Sequence, residues 1–95
     1  MKVRYRRRAR IDIENISDYI KDRNERAATE VVARIRYAVN RLGMWPHIGH
    51  RGRVGGTCEF LVLGLPYIIV YAIYPAQEVV SVIAIFHVVQ HRQKQ

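Results

Sequence analysis

The sequence predicts an α+β protein of order β-α-α-β-β-β, in which an N-terminal helical hairpin packs on one face of a small, mostly antiparallel four-stranded sheet. Two observations lead there. Apolar residues recur at helical spacing from Ala9 to Leu42, and beyond Thr57 that period gives way to β-branched and aromatic runs broken at glycine and proline. Helices grouped in one half and strands in the other build layers, unlike the alternating winding of a parallel α/β sheet. At 95 residues, 49 % of them apolar, the chain suits a single domain spanning 1–95.

Val3 and Tyr5 alternate with cationic residues, as a short edge strand would. Ala9, Ile13, Ile16 and Ile20 then fall on one face of a first helix, with Asp12, Glu14, Asp18 and Lys21 on its other sides. Asn24 is placed to cap a second helix whose first turn carries Glu25. Its apolar stripe is Ala28, Val31, Val32, Ile35, Ala38, Val39 and Leu42, and Gly43 is placed to end it in a left-handed conformation. The few residues around Arg23 to Glu25 leave room only for a tight, antiparallel αα-hairpin.

A glycine-rich loop from Gly43 to Gly56 follows, carrying Trp45-Pro46, His47, His50, Arg51 and Arg53. It is longer than a connection requires, which marks it as a functional or interface loop, and Trp45 is expected to fold back over the core edge. Cys58 to Leu63, Tyr67 to Tyr74 and Val79 to Phe86 read as an antiparallel meander joined by Gly64-Leu65-Pro66 and Pro75-Ala76-Gln77-Glu78. The middle run is nearly all apolar and should be a central strand covered on both faces. The tail from His87 to Gln95 is polar and basic.

Sixteen Lys and Arg against eight Asp and Glu leave a net charge of +8. That balance points to nucleic acid, a nucleoprotein target or an acidic protein partner, beside the plainer reading of a well-charged surface. Cys58 is the only cysteine, so no intramolecular disulfide can form and a reducing compartment is expected. The N-terminal charges have no apolar segment behind them, and the uncharged stretch from Phe60 to Gln77 is broken by Gly64, Pro66 and Pro75. A cytoplasmic protein with no membrane partner is the expectation.

Several of these segments resemble one known family. Val3-Arg4-Tyr5, Arg8-Ala9 and Asp12-Ile13-Glu14-Asn15-Ile16-Ser17-Asp18-Tyr19-Ile20 look like its opening strand and first helix. Trp45-Pro46-His47-Ile48-Gly49-His50 is similar to its aromatic-Pro-x-x-Gly turn, and Arg53-Val54-Gly55-Gly56-Thr57-Cys58-Glu59 to its Arg-Val-x-Gly-Thr-Arg-Glu stretch. Leu65-Pro66-Tyr67-Ile68-Ile69-Val70-Tyr71 and Val82-Ile83-Ala84-Ile85-Phe86-His87 resemble its last two strands. The family is the RelE/ParE superfamily of toxins, ParE-like branch, and the resemblance covers nearly the whole chain.

The resemblance implies the toxin of a type II toxin–antitoxin, or plasmid-stabilisation, pair. A cognate antitoxin would wrap it in a hetero-oligomer, and the pair would reach operator DNA only through the antitoxin. ParE-like members poison DNA gyrase, whereas RelE-like and YoeB-like members cut messenger RNA on the ribosome. Cleavage by this fold needs a base, an acid and cations for the developing phosphorane charge. The cleaving branch has an Arg early in the third strand and a His-Tyr pair ending the last. Here the aligned positions are Ile68, His87 and Val88, so His87 alone could be catalytic, and only in an endoribonuclease. Losing one charge-stabilising group typically costs about 10²–10³ in rate, so the departures favour a gyrase poison over an enzyme. Arg51, Arg53 and Glu59 in the loop and strand, with His91, Arg92 and Lys94 expected to be exposed in the tail, are the target-binding candidates.

Weaker constellations remain. His47, His50, Cys58 and His87 could be drawn as a zinc site, but without a second cysteine or a ligand knuckle no metal or cofactor is expected. Cys58 reads as a small core residue, and the N-terminal arginines as an acidic-partner surface or a nucleic-acid contact. An inactive toxin fold that serves only as antitoxin ligand and co-repressor also stays open.

Overall fold

The computed structural model describes residues 1–93, so Lys94 lies outside the described residues, and only the backbone of Arg92 and Gln93 is described. Strand β1 (Lys2–Tyr5) leads into helices α1 (Arg7–Lys21) and α2 (Glu25–Met44). A 3-10 turn at Pro46–Ile48 precedes β2 (His50–Arg51), β3 (Cys58–Leu61), β4 (Tyr67–Tyr74), β5 (Val79–His87) and α3 (Val88–Gln93). The sheet has five strands in the order β1-β5-β4-β3-β2. Only β1 and β5 run parallel; the other pairs are antiparallel. The extra strand beyond the four expected is the two-residue β2, which the glycine-rich loop lays against β3. Strand β4 is central, as its unbroken apolar run implies.

Asn24 caps α2 as its side chain requires: Oδ1 accepts the Ala27 N–H at 3.1 Å. Gly43 does not end the helix. It lies within the last turn, buried, and a Cβ there would sit 2.8 Å from Val3 Cγ2 and 2.9 Å from the Met1 carbonyl. The residue is small because the start of β1 crosses it, with the Met1 ammonium donating to the Gly43 carbonyl at 2.8 Å. The helix stops one residue later, at Met44, two residues ahead of Pro46.

Ile13, Ile35, Val39 and Leu42 from the helices meet Ile69, Tyr71, Val80, Val82 and Ile85 from the sheet in one core. Alternation sends Val70, Ala72, Ser81 and Ala84 to the face opposite the hairpin, where they too are buried. Between Val82 and Ala84 the β4–β5 register slips, leaving Ile83 as a bulge that bends β5 beyond the end of β1. There the β5 edge would be open. Asp12 of α1 closes part of it, its Oδ2 accepting the Ile85 N–H at 2.9 Å while Oδ1 holds Arg8 Nε at 3.0 Å. Gln90 accepts the His87 N–H beyond.

Candidate functional site

Three residues singled out in the sequence converge on the sheet face opposite the helical hairpin. Glu59, on β3, is buried to 6 % exposure. Its Oε2 accepts the Arg53 backbone N–H at 3.1 Å, and its Oε1 lies 3.0 Å from His91 Nε2 of α3. The imidazole is off the line that a hydrogen bond needs, since Nε2 has no hydrogen-bond partner. The contact is therefore coulombic and acts when the ring is protonated. The Arg53 guanidinium donates to the His91 carbonyl, and Phe86 stacks on the His91 ring with centroids 5.2 Å apart. Loop, sheet and tail are thereby clasped together.

Burial alone would push the Glu59 carboxyl up. The Arg53 N–H, His91 and His50 together outweigh it and hold the group below the usual carboxylate range. His50 contributes because β2 sets it directly opposite Glu59. A buried carboxylate kept ionised by three partners is a fixed negative centre that organises cations around it.

The loop is fastened from its other side by Tyr71, fully buried on β4. Its hydroxyl donates to the Pro46 carbonyl at 2.7 Å and accepts the Gly49 N–H at 3.2 Å. Burial, and the neighbouring Cys58, raise this phenol above its ordinary value. Gly49 has ordinary backbone angles and is needed for proximity instead: a Cβ there would reach the Tyr71 hydroxyl and lie 2.7 Å from the Glu59 carbonyl. Cys58 is half-buried beside the core, as expected of a small strand residue.

The remaining candidates lie apart. His87 is opposite Tyr67 on β4, its ring edge-on to that tyrosine with centroids 5.6 Å apart. It lines a groove of about 520 Å³ beside α1 with Arg8, Asp12, Ile16, Tyr19 and Gln90. Tyr67 belongs to the helix-side core and Glu59, opposite Val70, to the other face, so His87 and Glu59 occupy different sides of the sheet. Ile68 pairs with Phe86, and the Val88 N–H is taken by the Pro66 carbonyl, so neither position brings a charge to His87; the charged groups of the groove are Arg8 and Asp12, which are paired with each other. Arg51 stands exposed on the outer strand.

Two expectations are corrected. His91 is tucked against Glu59 with its side chain 12 % exposed, not displayed on the tail, because a buried carboxylate draws it in. Trp45 does not cover the core edge. It is 52 % exposed, and the Arg41 guanidinium stands 5.9 Å from its ring centroid. Sequence reasoning missed Tyr71 as the anchor of the loop, Arg6, which bonds Ser81 at 3.0 Å and the Tyr74 hydroxyl at 2.6 Å, and Asp12. Asp12 had no local signal of its own, being one of three acids in its helix with Glu14 and Asp18. Among the described residues, no group of three or more His, Cys, Asp or Glu is gathered as a metal ion would need, and no helix is long and apolar enough to cross a membrane.

A helical hairpin on a sheet of this order, with a loop and tail clasped over the free face, is the RelE/ParE toxin fold. A chain of the chromosomal ParDE toxin–antitoxin system from P. aeruginosa superposes with a TM-score of 0.81 over 92 % of this chain and 95 % of its own, at 18 % identity. A chain of the RelBE2 toxin–antitoxin complex from Mycobacterium tuberculosis superposes with a TM-score of 0.62 over 90 % and 88 %, at 20 % identity. At those identities the likeness speaks for the fold. Sequence goes further. The family of ParE toxins of type II toxin–antitoxin systems matches residues 3–92, and a protein of Sinorhizobium fredii described as "Putative toxin Y4kP" is 37 % identical over 81 residues, 85 % of this chain and 84 % of its own. The chain belongs to the ParE toxin family.

Proposed function

We propose that this ParE-family toxin acts in the cytoplasm by poisoning DNA gyrase and is held silent by a cognate antitoxin. The observation that carries the choice of gyrase over messenger RNA is the separation of His87 from Glu59 and Arg53. An RNA-cleaving centre needs acid, base and cation around one phosphate. Here the surviving histidine lies on the helix side of β5, the buried acid and its cations lie on the other face, and Ile68 and Val88 add no charge. Glu59 is also engaged by Arg53 and His91 and is poorly placed to take a proton from a substrate. Arg51 and Arg53, with Arg92 and Lys94 of the tail, are assigned to the target, and Glu59 with His91 is the internal anchor. The antitoxin alone would carry the complex to operator DNA.

Supercoiling and cleavage by purified gyrase, at fixed salt, test this with full-length protein and with a form ending at His87. Charge-driven contacts are screened, so salt must not vary between arms. Full-length protein should inhibit supercoiling and stabilise the cleaved complex; the truncated form should do so far less. No effect from either form refutes the gyrase reading. Codon-phased cuts in ribosome-bound message that vanish with His87→Ala would make the protein an endoribonuclease, and harmlessness in both assays an inactive co-repressor.

A further inference from the structure

The excess positive charge is not spread evenly over the chain. Six of the sixteen cations and none of the eight acids lie in residues 1–10, so six of the eight net charges sit at one corner of the fold. Val3 and Tyr5 pack toward the hairpin, and alternation therefore turns Lys2 and Arg4 to the other face of the sheet. Arg6 joins them. The backbone is still extended there, at φ −71° and ψ 159°, and the guanidinium donates to Ser81 Oγ at 3.0 Å and to the Tyr74 hydroxyl at 2.6 Å. Three cations thus stand in a row at steps of about 6.6 Å. Beside them lies a hollow of about 650 Å³ whose polar lining is Lys2, Arg4, Tyr74, Gln77 and Glu78, the last its one carboxylate. Among the described residues, Arg8 alone of the six cations is ion-paired, to Asp12. Stability does not call for so much charge. The first turn of α1 carries Arg7, Arg8 and Arg10 at the end of the helix dipole where carboxylates would be stabilising, and it has none. Cations on an edge strand discourage sheet-to-sheet pairing, which accounts for Lys2 and Arg4 on β1 but not for the four arginines that follow. A local rule broken with no gain in stability marks a functional surface.

We propose that the row of Lys2, Arg4 and Arg6 binds the phosphate backbone of duplex DNA. Arg6 carries the argument. Its two partners are hydroxyls, which fix the guanidinium without neutralising it, so a full charge is held ready with three of its five N–H groups left for a ligand. Ser81 is itself buried, which makes the anchor rigid. Arginine, lysine, serine, tyrosine and glutamine are side chains that hold phosphate oxygens, and they make up this corner. Other occupants fit less well. A protein partner is retained by apolar anchors at the centre of a contact, where charge is depleted; here the centre is charged. A single strand is held by stacking its bases on aromatic rings in series, whereas Tyr74 is the one ring lining the hollow and its hydroxyl is taken by Arg6. A duplex needs neither. Such a contact reads no base, so it adds affinity without sequence choice, and the choice of operator stays with the antitoxin. On the gyrase reading given above, the row grips the DNA that gyrase holds.

The test is the anisotropy of a short fluorescent DNA duplex of arbitrary sequence, titrated with the full-length chain at a series of salt concentrations. Binding should be micromolar, and log affinity should fall against log salt with a slope of about −2.7 or steeper, each of three phosphates adding about 0.9. Lys2 and Arg4 are exposed, so Lys2→Gln and Arg4→Gln leave the melting temperature where it is. Each should make the slope shallower by about 0.9 and weaken binding by about tenfold at low salt. Arg6→Lys keeps the charge but loses the planar fork that spans both hydroxyls, so affinity should fall by about threefold with the slope unchanged. Arg26→Gln removes the same charge from an exposed position on α2 and should alter neither quantity. No binding at low salt overturns the proposal, and so does an Arg26→Gln variant as impaired as Arg4→Gln, which would make net charge the only cause. Tighter binding to the single strand, or to an RNA duplex of the same sequence, gives the row to another nucleic acid and overturns it as well. None of these measurements uses gyrase. Loss of the DNA contact leaves the gyrase reading standing, and an absence of gyrase inhibition leaves the DNA contact standing.

Discussion

The two faces of the sheet are made from the same strands and closed by different physics. On the helix side Ile35, Val39 and Leu42 meet Ile69, Tyr71, Val80 and Val82, all fully buried. On the other side Val70, Ala72, Ser81 and Ala84 are nearly as buried, but the groups around that face are charged: Arg6 on Ser81, and Glu59 with Arg53 and His91. Apolar packing is non-directional and close to additive in area, so one face tolerates small shifts. The clasp on the other face depends on a few directed contacts between residues far apart in sequence. A toxin assembled this way keeps its scaffold stable while the surface assigned to its target hangs on contacts that a single substitution can release.

If that contrast is right, the largest loss of stability comes from the helix side. Leu42→Ala removes a fully buried side chain from the meeting of α2 with the sheet. It should cost about 2–5 kcal/mol, read as a lower urea midpoint with an unchanged slope. A loss below about 1 kcal/mol would mean that the helix-side core does not dominate stability.

Next comes the junction between the faces. Gly49→Ala places a methyl group against the Tyr71 hydroxyl and 2.7 Å from the Glu59 carbonyl, both of them buried and neither free to retreat. About 1–3 kcal/mol should be lost, with faster amide exchange in the loop from Trp45 to Cys58 and the helices unaffected. Equal exchange throughout would show that the loop is not fastened at this point.

These two substitutions also mark how far the sequence could be read. Leu42 belongs to a stripe at helical spacing, and period 3.6 against period 2 was enough to place both helices, the cap at Asn24 and the central strand. Gly43 was misassigned because its small size answers to Val3 and Met1 at the far end of the chain, and no local pattern carries that. The short β2 was invisible for the same reason, since two residues have no periodicity of their own. Arg53, Glu59 and His91 were each legible as candidates, but their convergence was not: it requires β3, the loop and a tail residue 32 positions beyond Glu59 to meet on a face that carries no helix of the hairpin. Trp45 was misplaced by the ordinary expectation that a large aromatic residue is buried.

The clasp itself is open to a pH test. The Glu59 carboxyl has a folded pKa held below its ordinary value of 4.5, so the stability it contributes is present above that value and is lost as pH falls through the lowered one. The native chain should therefore lose stability over the acid limb below about 4.5. Glu59→Gln keeps the shape but not the charge. It should cost about 1–2 kcal/mol at neutral pH, flatten that acid limb, and raise amide exchange in α3. A variant with the same acid limb as the native chain would show that Glu59 is not the group responsible.

The smallest effect separates two neighbouring arginines. Arg53 and Arg51 look equivalent in the sequence, as loop cations two residues apart. The structure gives them different work: Arg53 donates to the His91 carbonyl and so holds the tail, whereas Arg51 stands exposed on the outer strand. The Arg53 contact is exposed and charge-assisted at one end only, so Arg53→Ala should cost no more than about 1 kcal/mol and should loosen α3 in hydrogen exchange. Arg51→Ala should change stability by less than about 0.5 kcal/mol and leave α3 as protected as before. If Arg51 contributes to binding gyrase or an acidic partner, its loss should instead slow association and reduce the salt dependence of binding, because a rim charge acts mainly on encounter. Equal effects of the two substitutions on α3 exchange would erase the distinction between an arginine that builds the surface and one that is merely carried by it.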